Sequence, residues 1–535
     1  MSQPSADNAV ILTIDAGTTG VRAFAVDLQG HPVGRSYREF TQYFPQPGWV
    51  EHDAAEIWAV TQQVIHELVT KLGRTVAAVG ITDQRETIVA WSRRTKKPLH
   101  AAIVWQDRRT AQRCEQLQAH GELPAIRATT GLVLDPYFSA SKIEWLLTQG
   151  GVTADEDLLL GTIDSWLLWN LTGGAAHLTD PSNASRTMLF DIRSGEWSAD
   201  LCDLFGVPIS ALPQVRPSAG IFGTTAAGSG LAEGIPITGI AGDQQAALFG
   251  QACVHPGMAK NTSGTGSFVL MNVGSTCPEP SEGLLTTVAW TLPKQMLGTE
   301  SGSSASNSTD GLNTDGLITE GLITEGLSTD GLITHYALEG SIFATGAAVQ
   351  WLRDGLGIIQ EAAEIGPLAE SVPDSGGVVF VPAFAGLGSP YWDPYARGTV
   401  LGITRGSGRA EFARAVVEAM AYQTRDVVDA MTAASGTQIE ELRVDGGASV
   451  MPLLLQLQAD QLGVKVLRSS VAETTALGAS YLAGLGAGIW ADLSEVSLQW
   501  QADAQAEPIA DRTQADASYF QWQRAVERSR SWASE

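Results

Sequence analysis

With 535 residues, a hydrophobic fraction of 44% and fifteen tryptophans, the chain is too long for one core and too apolar for disorder, so two large domains are expected. Its 33 basic and 58 acidic residues leave a net charge of −25 with no Lys/Arg block, which argues against nucleic acid or an anionic membrane surface as partner. Four cysteines without a CxxC pair suit a reducing cytoplasm, no apolar run reaches membrane-spanning length, and the opening MSQPSADNAV does not read as a signal peptide.

The first element is a β-hairpin. Ile11 to Asp27, ILTIDAGTTGVRAFAVD, reads as an apolar strand, a Gly-Thr turn and a second apolar strand. Such a tip is poor in side-chain bulk and rich in N–H and hydroxyl groups, which suits phosphate oxygens. Asp15, at the end of the first strand, can hold Mg²⁺ directly or through water, and Arg22 adds positive charge on the returning strand. Asp53 then caps a helix, with Glu56 placed for a capping box. Ile57, Val60, Val64, Leu68 and Leu72 share its inner face, and Gly73 ends it. Val76 to Thr82 reads as a buried strand feeding Asp83-Gln84-Arg85-Glu86. Arg85 donates hydrogen bonds and Glu86 accepts them, as a polyol would require; a surface ion pair is the alternative. Trp105 and Tyr137 read as core residues or as a wall for a carbon chain.

Strands alternating with helices predict an α/β domain with a largely parallel sheet, whose ligands gather at strand ends. Asp243 follows one such strand, Ile235 to Ile240, and opens a helix. It is either a helix N-cap or a base for a substrate hydroxyl. The next segment, Met258 to Val273, MAKNTSGTGSFVLMNV, repeats the hairpin device, with Phe268 on its returning strand. One Gly-Thr turn can be a plain turn. Two copies half a chain apart predict two similar halves gripping one nucleotide.

Thr299 to Ser308 is Ser-rich, and Thr309 to Ile333 holds five copies of a unit of the TDGLI kind. A period of five fits neither helix nor strand and predicts an exposed insertion. Beyond it, Val378 to Val381 reads as a strand and Arg409 to Ser435 as a long helix closed by Gly436. Leu442 to Asp445 is a strand running into Gly446-Gly447-Ala448 and an apolar helix. This junction either admits a ligand close to the backbone or marks tight helix–sheet packing. No Walker loop, nucleophile elbow or HExxH zinc motif occurs, which leaves the chemistry to carboxylates and the hairpins.

Several runs carry a family resemblance: DAGTTGVR (15–22), PGWVEHD (47–53), QRET (84–87), TGLVLDPYFSASK (130–142), NASRTMLF (183–190), GDQQAALFGQ (242–251), KNTSGTGSF (260–268), ALEGSIFATGAAVQWLRD (337–354) and RVDGGA (443–448). With them the chain resembles the FGGY carbohydrate kinases, and among these the glycerol-phosphorylating members. The resemblance implies two α/β domains of actin/hexokinase-like (ribonuclease H-like) fold with a cleft between them. The expected bounds are 8–252, 253–500 with a low-complexity insertion at 299–334, and a C-terminal tail or helix at 501–535. It implies transfer of the ATP γ-phosphate to glycerol, giving sn-glycerol 3-phosphate and ADP, with Mg²⁺ at Asp15 and Asp243 as base. Arg85, Glu86, Tyr137, Asp243 and Gln244 would bond glycerol's hydroxyls, with Trp105 and Phe268 on its carbons. Thr18, Thr19, Arg22 and Thr265 would meet phosphates, and Gly346, Gln350 and Gly447 the rest of the nucleotide. A cytoplasmic homo-oligomer, dimer or tetramer, is expected.

The chain departs from the family pattern at several places. Met451-Pro452 stands where Asn is usual, Ala16, Gly20 and Val21 where Gln, Ser and Ser are commoner, and Asp83 where Asn precedes QRET. Gly234 replaces the Arg that binds fructose 1,6-bisphosphate in some members, so inhibition by that sugar is not expected. Two other readings stay open: another FGGY polyol or ketose kinase such as a xylulokinase, and an actin- or Hsp70-like nucleotide switch.

Overall fold

The structure, a computed structural model, describes residues 8–298 and 331–533. Most of the five-residue repeat lies outside them. Its last two residues, Leu332 and Ile333, open the strand Leu332–Ile342, so regular structure resumes before the expected end of the insertion at 334.

Two sheets carry the fold. The first runs, in spatial order, Pro32–Glu39, Gly20–Asp27, Ala9–Ala16, Thr75–Asp83, Pro236–Gly242, Ala219–Thr224. The second runs Leu285–Pro293, Leu332–Ile342, Ser267–Gly274, Met258–Ser263, Glu441–Gly446, Lys465–Ser469, Ala502–Ala506. The pairing pattern is duplicated. In each sheet a hairpin (Ala9–Ala16 with Gly20–Asp27; Met258–Ser263 with Ser267–Gly274) has an antiparallel strand on one side, two parallel strands on the other, and an antiparallel edge strand beyond. The second sheet adds Leu285–Pro293 outside this shared unit.

The expected largely parallel sheet is thus corrected to a mixed one, because each hairpin brings its own antiparallel neighbours. Val379–Val381 belongs to neither sheet; it forms a separate ribbon with Thr399–Leu401. Residues 501–535 are more than a tail, since Ala502–Ala506 forms the edge of the second sheet.

Local signals place the helices well. Asp53 accepts from the backbone N–H groups of Ala55 and Glu56, and Gly73 closes the helix Ala54–Leu72 in the left-handed region. The reciprocal half of the capping box is missing, because Glu56 turns its carboxylate to the N–H and hydroxyl of Thr41. The helix Arg409–Ser435 ends at Gly436. No described helix is long and apolar enough to cross a membrane, and all four cysteines are free thiols.

The helix Thr474–Gly486, from the second half of the sequence, lies against the first sheet. Thr13 and Ser480 hydroxyls meet at 2.7 Å, and Thr238 donates to the Ala483 carbonyl at 2.8 Å. A Cβ at Gly239 would collide with the Ala483 backbone nitrogen and one at Gly80 with the Ala479 carbonyl, so this crossing depends on a bare backbone. The two halves therefore share a core in which Ile11, Phe24 and Ala241 pack with Leu477, Tyr481 and Leu482.

The C-terminal helix Arg512–Ser529 docks through a buried carboxylate. Asp426 accepts from the Tyr519 hydroxyl at 2.5 Å and the Trp522 indole at 2.7 Å. Burial nevertheless lifts Asp426 from 3.8 to about 7. The folded state then keeps a proton that the unfolded chain releases, so this stabilisation is whole below about 3.8 and lost as pH rises through about 7. Between about pH 5 and 8, the melting temperature of Asp426→Asn should fall less than that of the wild type. Equal pH slopes in thermal scans would remove Asp426 as the cause.

Candidate active site

The carboxylate Asp243 opens the helix Asp243–Gly250 at the end of the strand Pro236–Gly242. It is not an N-cap. Gly242 takes that position, and no side chain caps the helix. Asp243 Oδ1 instead accepts from the Gln244 N–H at 2.7 Å and lies 3.2 Å from Arg85 Nε. Oδ2 has no donor among the described residues. One oxygen is tethered and the other is available for a proton.

Arg85 and Glu86 follow the strand Thr75–Asp83, which runs parallel to Pro236–Gly242 and so ends beside Asp243. Both are buried, which rules out the surface ion pair. Nor do they principally pair with each other, since Arg85 Nε and Glu86 Oε1 are 3.9 Å apart. Arg85 donates through Nη1 (2.6 Å) and Nη2 (3.2 Å) to the two carboxylate oxygens of Glu339. Arg186 donates from Nε to Glu86 at 2.7 Å and from Nη2 to Glu339 at 3.2 Å. The four side chains form a buried quartet with no net formal charge. Burial alone would raise the Glu339 carboxyl, but Arg186 and Arg85 overcome it and hold it at about 2. Glu86 is shifted upward, because burial outweighs its two arginines.

Glu86 also has φ 62°, a left-handed conformation unusual outside glycine. Such strain costs about 1–3 kcal/mol and persists where surroundings over-determine it. Here the Ser139 hydroxyl holds the Glu86 carbonyl at 2.9 Å while Arg186 holds the carboxylate.

Gln244, the next residue of the helix, accepts from Lys260 Nζ through Oε1 at 2.5 Å. An ammonium on Oε1 leaves the amide NH₂ to face a ligand as donor. Lys260 sits on the first strand of the second hairpin, and burial lowers it to about 8 against the attraction of Asp445, Glu339 and Asp243.

Trp105 and Tyr137 meet edge to face at 5.4 Å, and the Trp105 indole donates to Thr18 Oγ1 at 3.0 Å. The aromatic wall therefore touches the first hairpin tip. Phe268, half-buried and paired with Thr262 across the second hairpin, packs beside the core shared by the two halves and makes no ring contact to Trp105 or Tyr137 among the described residues.

Asp15 and Arg22 stand opposite each other across the first hairpin and bond at 2.9 Å, so Arg22 is engaged by the acid rather than free at the tip. Burial raises Asp15 to about 6, with Arg22 opposing and Asp243 adding to the shift. No cluster of three or more metal-ligating side chains occurs among the described residues. A lone carboxylate beside a Gly-Thr turn fits Mg²⁺, which takes one or two carboxylates and fills its remaining positions with water and substrate phosphate.

The second tip is locked on both flanks. Thr345 and Ala347 N–H groups donate to the Thr265 carbonyl, and the Gly346 N–H donates to Gly264 at 3.0 Å. On the other side Gly446 has φ 84°, and a Cβ there would strike the Ser263 carbonyl. Thr265, Gly346 and Gly447 are thereby brought together, with Gln350 exposed at the end of the short helix Gly346–Gln350. The expected direct strand–Gly-Gly–helix junction is interrupted: a 3₁₀ turn, Gly447–Val450, precedes a helix that starts at Pro452.

Arg186, Glu339 and Lys260 escaped the sequence reading, although each lies in a matched run. The signal was present in MAKNTS and YALEGSI: a lone charge in a buried strand must have a partner.

The FGGY family of carbohydrate kinases matches with its N-terminal domain at residues 10–250 and its C-terminal domain at 259–487. The glycerol kinase of Trichlorobacter lovleyi is 52% identical over 530 residues, covering 98% of this chain and 99% of that protein. Among solved structures, Plasmodium falciparum glycerol kinase with ADP superposes with a TM-score of 0.86 at 34% identity, covering 97% of this chain and 98% of that one. A ligand-bound xylulose kinase from Lactobacillus acidophilus, at 20% identity and a TM-score of 0.82 over 97% of each chain, shares the fold. On duplicated sheets, paired hairpins, an uncapped acid at a strand end and these matches, the chain belongs to the FGGY family of carbohydrate kinases.

Proposed function

We propose that this chain is a glycerol kinase, transferring the ATP γ-phosphate to glycerol to give sn-glycerol 3-phosphate and ADP. The observation that carries the reading is the uncapped Asp243, tethered through Oδ1 with Oδ2 open, beside a clamped Arg85. The 52% identity with a glycerol kinase over nearly the full chain supports glycerol over a pentulose.

Phosphoryl transfer needs alignment and charge neutralisation more than covalent help. Asp243 Oδ2 takes the proton of the attacking hydroxyl. Arg85, Glu86, Tyr137 and Gln244 hold the polyol's oxygens, and Trp105 bounds its carbons. Thr18, Thr19 and Thr265 receive phosphate oxygens from the two tips, with Gly346, Gln350 and Gly447 on the nucleotide side. Asp15 would hold Mg²⁺, which supplies positive charge to the phosphates. Tethers between the halves, Glu339 to Arg85 and Lys260 to Gln244, support one cleft served by both hairpins. Four free thiols and the lack of a membrane-spanning helix among the described residues favour a cytoplasmic enzyme.

The test is ADP formation with glycerol, dihydroxyacetone, xylulose and ribulose under the same conditions. Glycerol should give the highest kcat/KM. Faster turnover of a pentulose would replace the substrate, and turnover indifferent to every polyol would favour a nucleotide switch.

A further inference from the structure

The first hairpin tip is held from behind by a hydrogen-bond chain centred on His52, a fully buried residue of the PGWVEHD run. Gln42 Nε2 donates to the Thr18 carbonyl at 3.0 Å and also lies 3.4 Å from the Phe40 carbonyl. Gln84 Nε2 donates to the Gly17 carbonyl at 3.1 Å. Between the two glutamines stands His52, with Nε2 at 2.7 Å from Gln42 Oε1 and Nδ1 at 3.3 Å from Gln84 Nε2. The chain continues through Thr87, which donates to Gln84 Oε1 at 2.9 Å and accepts from the Trp105 N–H at 3.2 Å.

One proton assignment satisfies every link. The carbonyls of Thr18 and Phe40 only accept, so Gln42 must present its NH₂ to them and its oxygen to His52. His52 therefore carries its proton on Nε2, and its Nδ1 accepts from Gln84. A doubly protonated ring would set N–H against N–H at Gln84. Burial, which lowers His52 to about 4, keeps the ring neutral.

The consequence at the tip follows from peptide geometry. In a planar trans peptide the N–H of a residue points opposite to the carbonyl of the residue before it. The Ala16 and Thr19 carbonyls are also bound, by the Gln84 and Phe40 N–H groups. Holding the Gly17 and Thr18 carbonyls on one side thus turns the N–H groups of Thr18 and Thr19 to the other. Neither N–H donates to any group among the described residues.

We infer that His52 is a positioning residue for phosphate binding: it locks Gln42 and Gln84 so that the first hairpin presents two free N–H donors to the nucleotide's phosphates. This inference rests on the reading of Thr18 and Thr19 as phosphate contacts. His52 touches neither substrate, and its effect reaches the nucleotide through the tip alone.

The experiment uses the full chain with His52→Phe, which fills the ring's volume but makes neither bond, His52→Gln, which can donate again to Gln42, and Gln42→Leu at a half-buried position. Calorimetry with a non-hydrolysable ATP analogue in the absence of glycerol reads nucleotide affinity, and steady-state kinetics separate the two KM values. His52→Phe should weaken analogue binding and raise the KM for ATP about tenfold, with the KM for glycerol within about twofold. His52→Gln should recover part of the loss. The double variant His52→Phe/Gln42→Leu should be no weaker than His52→Phe alone, because both changes cut one chain. Unchanged analogue affinity in folded His52→Phe, equal loss for both substrates, or additive losses in the double variant would overturn the inference. Should His52→Phe fail to fold, Gln42→Leu decides by the same readout. The calorimetric arm needs no glycerol, so failure of the relay is distinguishable from failure of the glycerol assignment.

Discussion

Asp243→Asn should lower kcat about 10²- to 10⁴-fold, the range for loss of a positioned general base. The substitution is close to isosteric, and its carbonyl oxygen can keep the Gln244 N–H bond and the 3.2 Å approach of Arg85 Nε that Oδ1 now has. What disappears is the basic oxygen. The N-cap alternative predicts otherwise, since Asn caps helices as well as Asp does, and here Gly242 holds that position without a side-chain cap. Nucleotide affinity should stay within about twofold of wild type, because the residues assigned to the nucleotide lie on other elements. Single-turnover kinetics with glycerol and ATP would check the result. Near-normal turnover would remove Asp243 from the base role.

The second large effect is expected at Glu339. Glu339→Ala leaves the guanidinium groups of Arg85 and Arg186 buried without their shared carboxylate. Removing one partner of a buried ionic set costs about 3–5 kcal/mol, because the remaining charge is uncompensated. A lower melting temperature and poor soluble yield should follow. Glu339→Gln is the informative companion. It keeps the shape and one acceptor but loses the fork that holds both guanidinium nitrogens of Arg85. It should fold, raise the KM for glycerol about tenfold, and leave the KM for ATP near wild type. Equal KM values for glycerol in Glu339→Gln and wild type would mean that Arg85 needs no clamp. The clamp should also be insensitive to pH through the neutral range. Glu339 is held at about 2, against 4.5 for an ordinary glutamate, so its contribution is whole above about 4.5 and lost only as pH falls toward about 2.

Much of this was legible along the chain because it is encoded locally. Both hairpins, the Asp53 cap, the glycine stops at Gly73 and Gly436 and the strand-end position of Asp243 depend on neighbours within a few residues. Their periodicity and turn chemistry can be read without knowing the fold. One local expectation failed where a distant group outbid a near one: Glu56 left its capping box for Thr41.

Residue types and their local spacing therefore settle which elements form, where they stop, and which side chains stand at strand ends as candidates for chemistry. Folding alone decides how those candidates are aimed. The partner of Arg85 lies 254 residues away and that of Gln244 on the second hairpin, 16 residues on, while the helix that seals the first sheet comes from the last part of the chain. Such pairings leave no periodic trace, because a buried charge is satisfied by any opposite charge that three-dimensional packing brings within reach, whatever its distance in sequence.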